Sequence, residues 1–139
     1  MKFYLAGGYS VRDELRGYRH FLVGLGHEVT SRWLDTNWTE TNDKGSSAAP
    51  PEYREKYALI DLEDVREADV LIAFAADPYR KSGNNRGGRH VELGIAIGLG
   101  KLVVLVGQPE NIFHYLPGVV RYDLFDDLYT DLRRGTLPA

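Results

Sequence analysis

The stretch Asp69-Val70-Leu71-Ile72-Ala73-Phe74-Ala75 is the clearest candidate for a buried strand in this sequence. Every side chain after the first is apolar, and a polar loop begins at Asp77-Pro78. A strand with apolar side chains on both of its faces is typical of a parallel sheet covered by helices on both sides. The stretch therefore predicts the centre of such a sheet.

The segments on either side of this strand alternate between strand and helix patterns. Short apolar runs predict further strands at residues 3–6, 28–33, 102–106 and 119–122. Helices are predicted between them, at residues 10–25, 53–68, 93–99 and 126–134. Alternation of this kind predicts a single α/β domain, residues 1–139, with a parallel sheet and helices on both of its faces.

Two of these helices carry further signals. Ser10 is a candidate N-cap, with Asp13 three residues later in a box-like arrangement, and Gly26 ends the first helix. The helix over 93–99 contains only apolar residues and glycine, which predicts that it is buried on most sides.

The composition limits the classes of function. The chain has 139 residues, 43% of them hydrophobic, and a net charge of −3, which argues against binding to a nucleic-acid polymer. The absence of cysteine excludes disulfides and thiolate metal sites. No stretch has the pattern of a signal peptide or a membrane span, so a cytoplasmic protein without a membrane partner is expected.

Residues 34–52 form a long polar segment that carries Trp38 and the pair Pro50-Pro51. Long loops of this kind are usually functional or mobile. Trp38 is equally compatible with a lid residue that covers a base or sugar and with a residue that packs on a neighbouring subunit.

The predicted sheet brings several loops to one edge. Ligands of open α/β sheets bind outside the carboxyl ends of the strands. This edge contains residues 7–10, the loop from Asp77 onward and the loop from Gly107 onward. Glu92, at the start of a helix that follows a strand, is expected on the same edge.

Glu92 is the main candidate for chemistry. It follows the pair Gly87-Gly88, whose backbone N–H groups can approach a ligand closely. In the first turn of a helix, the helix dipole favours the ionised form of a glutamate, and an ionised carboxylate facing a cleft is a nucleophile or a general base. The alternative is that Glu92 only forms an ion pair with Arg89.

Three further types of side chain are candidates on this edge. Asp61 is either a half-buried acid facing the pocket or part of a solvated helix face. Tyr4 either donates a hydrogen bond to a carboxylate or simply packs in the core. Arg86 and Arg89 flank the paired glycines at a helix N-terminus, which is a natural phosphate site, or else serve solubility or pair with Glu92.

Several familiar motifs are absent. The sequence contains no glycine-rich dinucleotide or triphosphate motif and no G-x-S-x-G serine motif. The four histidines do not have metal-ligand spacing, and His90 is more typical of a cap or a solvent contact. We therefore expect neither a metal nor a cofactor.

Three segments together resemble a known family. They are Phe3-Tyr4-Leu5-Ala6-Gly7, the run Asp61-Leu62-Glu63-Asp64 through Ala68-Asp69-Val70-Leu71-Ile72, and Gly88-Arg89-His90-Val91-Glu92-Leu93-Gly94 ending at Gly100-Lys101. In this order and spacing they resemble the nucleoside 2-deoxyribosyltransferase family, whose relatives include 2'-deoxynucleoside 5'-monophosphate N-glycosidases. The resemblance implies a flavodoxin-like or Rossmann-like three-layer sandwich with five parallel strands.

The resemblance also implies roles for individual residues. Glu92 matches the nucleophile that attacks C1' of the deoxyribose and holds the sugar covalently. Asp61 matches the acid that helps to bind the sugar and assists the departing base, and Tyr4 matches the tyrosine that orients the nucleophile. Gly7, Gly8 and Ser10 match the first loop of the family, which holds the 5' end of the substrate in the relatives that use nucleoside 5'-monophosphates.

Other positions depart from the family or match it loosely. Transferases of the family often carry an acid six residues before the nucleophile, whereas this chain has Arg86, which suits a 5'-monophosphate substrate better than a free nucleoside. The family also uses residues of an adjacent subunit, which implies a homo-oligomer, a dimer or larger. Asn111 and His114 are the candidates for that role here.

The expected function is cleavage or transfer of the N-glycosidic bond of a 2'-deoxynucleoside or its 5'-monophosphate, with a free nucleobase as product or acceptor, as in nucleotide salvage. Whether the enzyme is a hydrolase or a transferase stays open, because it depends on how well the closed site excludes water. The alternatives are a phosphoribohydrolase that acts on ribonucleotides and a non-catalytic nucleotide-binding domain on the same fold.

Overall fold

The computed structural model describes residues 1–36, 50–77 and 87–137. Trp38 and Arg86 lie outside these ranges, so the predictions made for them stay predictions. The described chain forms a five-stranded parallel sheet in the order β2-β1-β3-β4-β5. Its strands are β1 (Lys2–Ala6), β2 (Glu28–Val29), β3 (Val70–Phe74), β4 (Leu102–Val106) and β5 (Val119–Tyr122).

Helices cover both faces of the sheet, which confirms the predicted three-layer α/β fold. The helices are α1 (Arg12–Gly24), α2 (Pro51–Glu67), α3 (Gly88–Gly98) and α4 (Phe125–Arg134). Short 3₁₀ helices lie at Tyr9–Val11, Arg32–Asp35 and Ile112–Tyr115. α1 contacts α4, and α2 contacts α3. None of the described helices has the length and apolar character needed to cross a membrane.

The core is centred on β3, whose five residues are all buried between β1 and β4. Leu71 pairs in register with Tyr4 on one side and with Val103 on the other. Each helix adds a stripe of buried residues, such as Leu15 on α1 and Leu93 on α3. Full burial of a large aliphatic side chain stabilises a fold by about 1.5–3 kcal/mol.

The prediction of a second strand over 28–33 was wrong after Val29. The Oγ atom of Ser31 accepts a hydrogen bond from the backbone N–H of Leu5 at 2.6 Å, and the indole Nε1 of Trp33 donates to the carbonyl of Leu5 at 2.8 Å. These two side chains therefore take the place of backbone hydrogen bonds from a longer β2 to Leu5. The backbone is then free to turn into the 3₁₀ helix at Arg32–Asp35.

Two predictions about helices were also wrong. Ser10 does not cap α1, because it lies inside a 3₁₀ helix and α1 begins only at Arg12, without a side-chain cap. The segment 93–99 is not buried on most sides, since Gly94 and Gly98 are exposed and Leu99 is 49% exposed. The buried face of α3 is a single stripe of three residues, Arg89, Leu93 and Ala96.

Candidate active site

The phenol of Tyr4 and the carboxylate of Glu92 meet between β1 and α3. Side chains alternate along a strand, and this alternation places Tyr4 on the face of the sheet that α2 and α3 cover. Tyr4 is fully buried, and its hydroxyl donates a hydrogen bond to Oε2 of Glu92. The family resemblance implied this contact, whereas the residue pattern alone left core packing of Tyr4 open; the two side chains are 88 residues apart in the chain.

Glu92 lies deeper in its helix than the sequence indicated. Gly87 has a φ of 81°, in the left-handed region that favours glycine, and α3 starts immediately after it at Gly88. Glu92 is therefore in the second turn, and the prediction that the helix dipole keeps it ionised was wrong. The pKa of Glu92 is raised to about 8, mainly because burial disfavours the charged form. The hydrogen bond from Tyr4 opposes this rise, and the charge of Asp61 contributes to it.

Asp61 is the second carboxyl of the site. It is half-buried on α2, which does not fit the alternative of a solvated helix face. The pKa of Asp61 is raised to about 7, mainly by burial. The negative charge of Asp64 contributes to this rise, and the charge of Arg32 opposes it. Two half-buried carboxyls with raised pKa values in one place are typical of catalytic sites.

Tyr4 keeps its proton over the whole range in which these carboxyls titrate. Burial raises the pKa of Tyr4 well above its ordinary value, and the charges of Glu92 and Asp61 act in the same direction. The phenol can therefore only donate to Glu92, which favours the ionised carboxylate.

Asp64 and Arg32 form an ion pair beside Asp61 that sequence reasoning missed. Asp64 is 5% exposed and lies one helical turn after Asp61 on α2. Its Oδ1 accepts from Nε of Arg32 at 2.9 Å and lies 2.8 Å from Nη2, while its Oδ2 accepts from the backbone N–H of Arg32 at 3.0 Å. The spacing of Asp61 and Asp64 is visible in the sequence, but their partner is 32 residues away from Asp64.

Arg89 pairs with Glu110, a residue that sequence reasoning did not single out. The side chain of Arg89 is 6% exposed, and both of its terminal nitrogens donate to the Glu110 carboxylate, one of them at 2.7 Å. Glu110 also accepts from the backbone N–H of Ala76, at 3.3 Å. The suggested ion pair between Arg89 and Glu92 is therefore replaced by one with Glu110, and a phosphate-binding role for Arg89 stays a prediction.

Asn111 and His114 make contacts within their own chain. Oδ1 of Asn111 accepts from the backbone N–H of Phe113 at 2.9 Å, and its Nδ2 lies 3.4 Å from Nδ1 of His90. His114 is 1% exposed, and its Nδ1 accepts from the backbone N–H of Glu110 at 2.9 Å. Burial lowers the pKa of His114, which fits a neutral ring that accepts a hydrogen bond. The expected role of these residues in an adjacent subunit stays a prediction.

The loop after β1 approaches α1 closely. A Cβ atom at Gly7 would lie 2.9 Å from Cδ2 of Leu15, so this position has little room for a side chain. Gly8 is half-buried and Ser10 is exposed. Gly88 is also exposed, at the first position of α3. Binding of substrate by these four residues stays a prediction.

Within the three described ranges, no group of three or more histidine, aspartate or glutamate residues is arranged to hold a metal ion.

The sequence matches no protein-family model and no curated protein. In structure it is similar to the 2-deoxyribosyltransferase of Bacillus psychrosaccharolyticus, with a TM-score of 0.69 and 23% identity over 93% of this chain and 90% of that chain. It is also similar to the CMP N-glycosidase BcmB of Clostridium botulinum, with a TM-score of 0.58 and 20% identity over 96% of this chain and 99% of that chain. These similarities confirm the predicted fold. The two proteins are a 2-deoxyribosyltransferase and an N-glycosidase, the two kinds of enzyme that the sequence motifs resemble.

Proposed function

We propose that this protein cleaves or transfers the N-glycosidic bond of a 2'-deoxynucleoside or its 5'-monophosphate, with Glu92 as the nucleophile. The observation that carries the proposal is the buried contact between Tyr4 and Glu92, with Asp61 close enough for its charge to act on both. The 2-deoxyribosyltransferase and the N-glycosidase with the same fold support this class of reaction.

The reactive form of the site has Glu92 ionised and Asp61 protonated, and this form is populated near neutral pH because the pKa values of the two acids, about 8 and about 7, lie close together. In the first step, the carboxylate of Glu92 attacks C1' of the sugar as the bond from C1' to the base nitrogen breaks. The electron pair of that bond leaves with the base, and Asp61 delivers a proton to the base. The transition state resembles an oxocarbenium ion, which an adjacent carboxylate stabilises. The product of this step is a sugar ester of Glu92 and a free nucleobase.

The second step releases the sugar from Glu92. In a hydrolase, water attacks C1' as the bond from C1' to the Glu92 oxygen breaks, and the water gives a proton to the Asp61 carboxylate. Glu92 is then again a carboxylate and Asp61 again an acid. In a transferase, a nitrogen of a second nucleobase attacks instead and gives its proton to Asp61. In both cases Tyr4 orients Glu92 and donates to its carboxylate without losing its own proton.

Ribonucleoside monophosphates form a second candidate class of substrate. The CMP N-glycosidase acts on a ribonucleotide, as its name states, and it shares the fold over almost its whole length. A substrate panel should therefore contain deoxynucleosides, their 5'-monophosphates and the matching ribonucleotides.

The panel tests the proposal when each substrate is incubated with and without a free acceptor base. We expect release of a nucleobase from at least one member. Free sugar phosphate without base exchange identifies a hydrolase, and a new nucleoside or nucleotide identifies a transferase. Binding of a nucleotide without any turnover across the panel would contradict the proposal and favour a non-catalytic binding domain.

A further inference from the structure

The proposed mechanism requires a free Glu92 carboxylate, although a cation lies one turn before it on the same helix. Arg89 precedes Glu92 by three residues on α3, a spacing at which an arginine and a glutamate form ion pairs. Glu92 is also the only acidic residue of α3. The side chain of Arg89 is 6% exposed, and a buried charge of this kind requires a partner of opposite charge.

Glu110, in the segment after β4, supplies the carboxylate that binds Arg89. The two terminal nitrogens of Arg89 donate to the two different oxygens of Glu110. A contact between an arginine and a carboxylate at two points fixes the orientation of the guanidinium as well as its position. The guanidinium is therefore bound to the loop after β4 and not to Glu92, its neighbour on the helix.

Glu110 is held in place by groups other than Arg89. Its carboxylate accepts from the backbone N–H of Ala76, after the end of β3, at 3.3 Å. Its own backbone N–H donates to Nδ1 of His114 at 2.9 Å, and His114 is 1% exposed. The position of this carboxylate is therefore set by the ends of two strands and a buried ring, before Arg89 is considered.

The other neighbours of Glu92 leave its carboxylate without a cation. Tyr4 donates a hydrogen bond to Oε2 of Glu92, and Asp61 carries a charge of the same sign. Among the described residues, Glu92 forms no ion pair with a lysine or an arginine. A guanidinium bound to Glu92 would stabilise the carboxylate before the reaction, and this would raise the barrier to attack on C1'.

We propose that Glu110 is a positioning residue that holds the guanidinium of Arg89 away from Glu92 and so leaves Glu92 free to attack the sugar. This inference rests on the proposed function, in which Glu92 is the nucleophile. Without Glu110, Arg89 turns to the remaining acid on its own helix and inhibits the site.

The first test is a crystal structure of the full-length variant Glu110→Leu. Leucine has a similar size but no acceptor, so Arg89 has to find another partner. We expect its guanidinium within hydrogen-bond distance of the Glu92 carboxylate. A guanidinium that stays beside position 110, or binds any other group, would overturn the proposal. This measurement requires no substrate.

The second test is the activity of the single and the double variant. Glu110→Leu should lower kcat/KM by about 10- to 100-fold, because a charged hydrogen bond has to break before Glu92 attacks. Arg89→Met together with Glu110→Leu removes the inhibiting cation and should restore activity similar to that of the wild type. Replacing both members of a buried ion pair by apolar residues of similar volume is often neutral for stability.

This rescue distinguishes the proposal from a merely structural role. If the ion pair served only to fix α3, the double variant would be as impaired as Glu110→Leu, and that result would overturn the proposal. Activities are compared at a temperature at which circular dichroism shows each variant folded. If Glu110→Leu does not fold, the double variant decides alone, since its loss of activity would overturn the proposal and wild-type activity would support it.

Glu67→Leu is the matched control. It frees a cation in the same way, because Glu67 pairs with Lys2, but this exposed pair is at the opposite end of the sheet from Glu92. We expect wild-type activity, and a loss equal to that of Glu110→Leu would overturn the specific role of Glu110. If the wild type turns over no substrate, the proposed function fails, while the crystal structure of Glu110→Leu still decides which acid binds Arg89.

Discussion

Two glutamates of this protein, at opposite ends of the sheet, have opposite surroundings. Glu67, at the end of α2, is exposed and pairs with Lys2, whose hydrogen bond lowers the pKa of Glu67. Glu92 is half-buried against a phenol and near a second carboxyl, and its pKa is raised to about 8. A carboxylate beside a cation at the surface needs only a structural explanation, whereas a buried one near another acid needs a functional one.

The largest expected difference between the two glutamates is in activity. Glu92→Gln should lower kcat/KM by about three orders of magnitude or more, because an amide cannot act as the nucleophile. Glu67→Gln should retain wild-type activity on the same substrate. Circular dichroism should show both variants folded. Equal activity of the wild type and Glu92→Gln would remove Glu92 from the mechanism.

The contact between Tyr4 and Glu92 should have the next largest effect. Tyr4→Phe keeps the ring but removes the donor, and loss of a hydrogen bond to a charged group corresponds to about a 10- to 100-fold decrease in kcat/KM. Because this hydrogen bond lowers the pKa of Glu92, its loss should raise that pKa and move the pH profile of kcat/KM upward. An unchanged profile with full activity would mean that Tyr4 only packs in the core.

The ion pair between Arg89 and Glu110 should matter for stability. Glu110→Gln leaves the buried guanidinium of Arg89 without its carboxylate and should lower the free energy of unfolding by about 2 kcal/mol, measured in urea. This is less than a fully buried pair would lose, because the side chain of Glu110 is 24% exposed. Glu67→Gln, which removes an exposed pair, should cause no measurable change. Similar decreases in the free energy of unfolding in Glu110→Gln and Glu67→Gln would contradict the distinction between the buried and the exposed ion pair.

The pH dependence of stability should also reflect the surroundings of Glu92. Since the pKa of Glu92 rises from an ordinary 4.5 to about 8 on folding, the unfolded chain releases this proton first. The contribution of Glu92 to stability is therefore present below about pH 4.5 and is lost as the pH rises through about 8. Glu92→Gln should remove a fall in unfolding free energy of about 3.5 kcal/mol between pH 5 and 8, since one pKa unit corresponds to about 1.4 kcal/mol. Parallel curves for the variant and the wild type would contradict the raised pKa.

The sequence predicted most of the fold because the strands are continuous apolar runs. The bounds of β4 and β5 agree with the predicted 102–106 and 119–122. β2 was predicted too long because the side chains of Ser31 and Trp33, rather than a backbone ladder, bind the edge of β1. The sequence pattern does not distinguish a longer strand from a turn whose side chains bind β1, because polar groups lie near an apolar run in both.

The candidate site was predicted in part. Tyr4, Asp61 and Glu92 were proposed from the family resemblance and from their expected places at the edge of the sheet. The structure shows a hydrogen bond from Tyr4 to Glu92, and the charge of Asp61 acts on both, while the catalytic roles stay predictions. Arg32 and Glu110 were missed because each acts through a partner more than 20 residues away, and no local spacing connects the members of such pairs. The ionisation of Glu92 was misjudged because the sequence does not show how deeply a helix residue is buried.

The most direct test of the central claim is mass spectrometry of the protein after reaction with a 2-fluoro-2-deoxy sugar nucleotide. The fluorine destabilises the oxocarbenium-like transition state and should allow the glycosyl-enzyme to accumulate. We predict a mass increase equal to the fluorinated sugar portion on the peptide that contains Glu92, and no increase in Glu92→Gln. A label on another residue, or turnover of this substrate without any labelled protein, would contradict a covalent mechanism through Glu92.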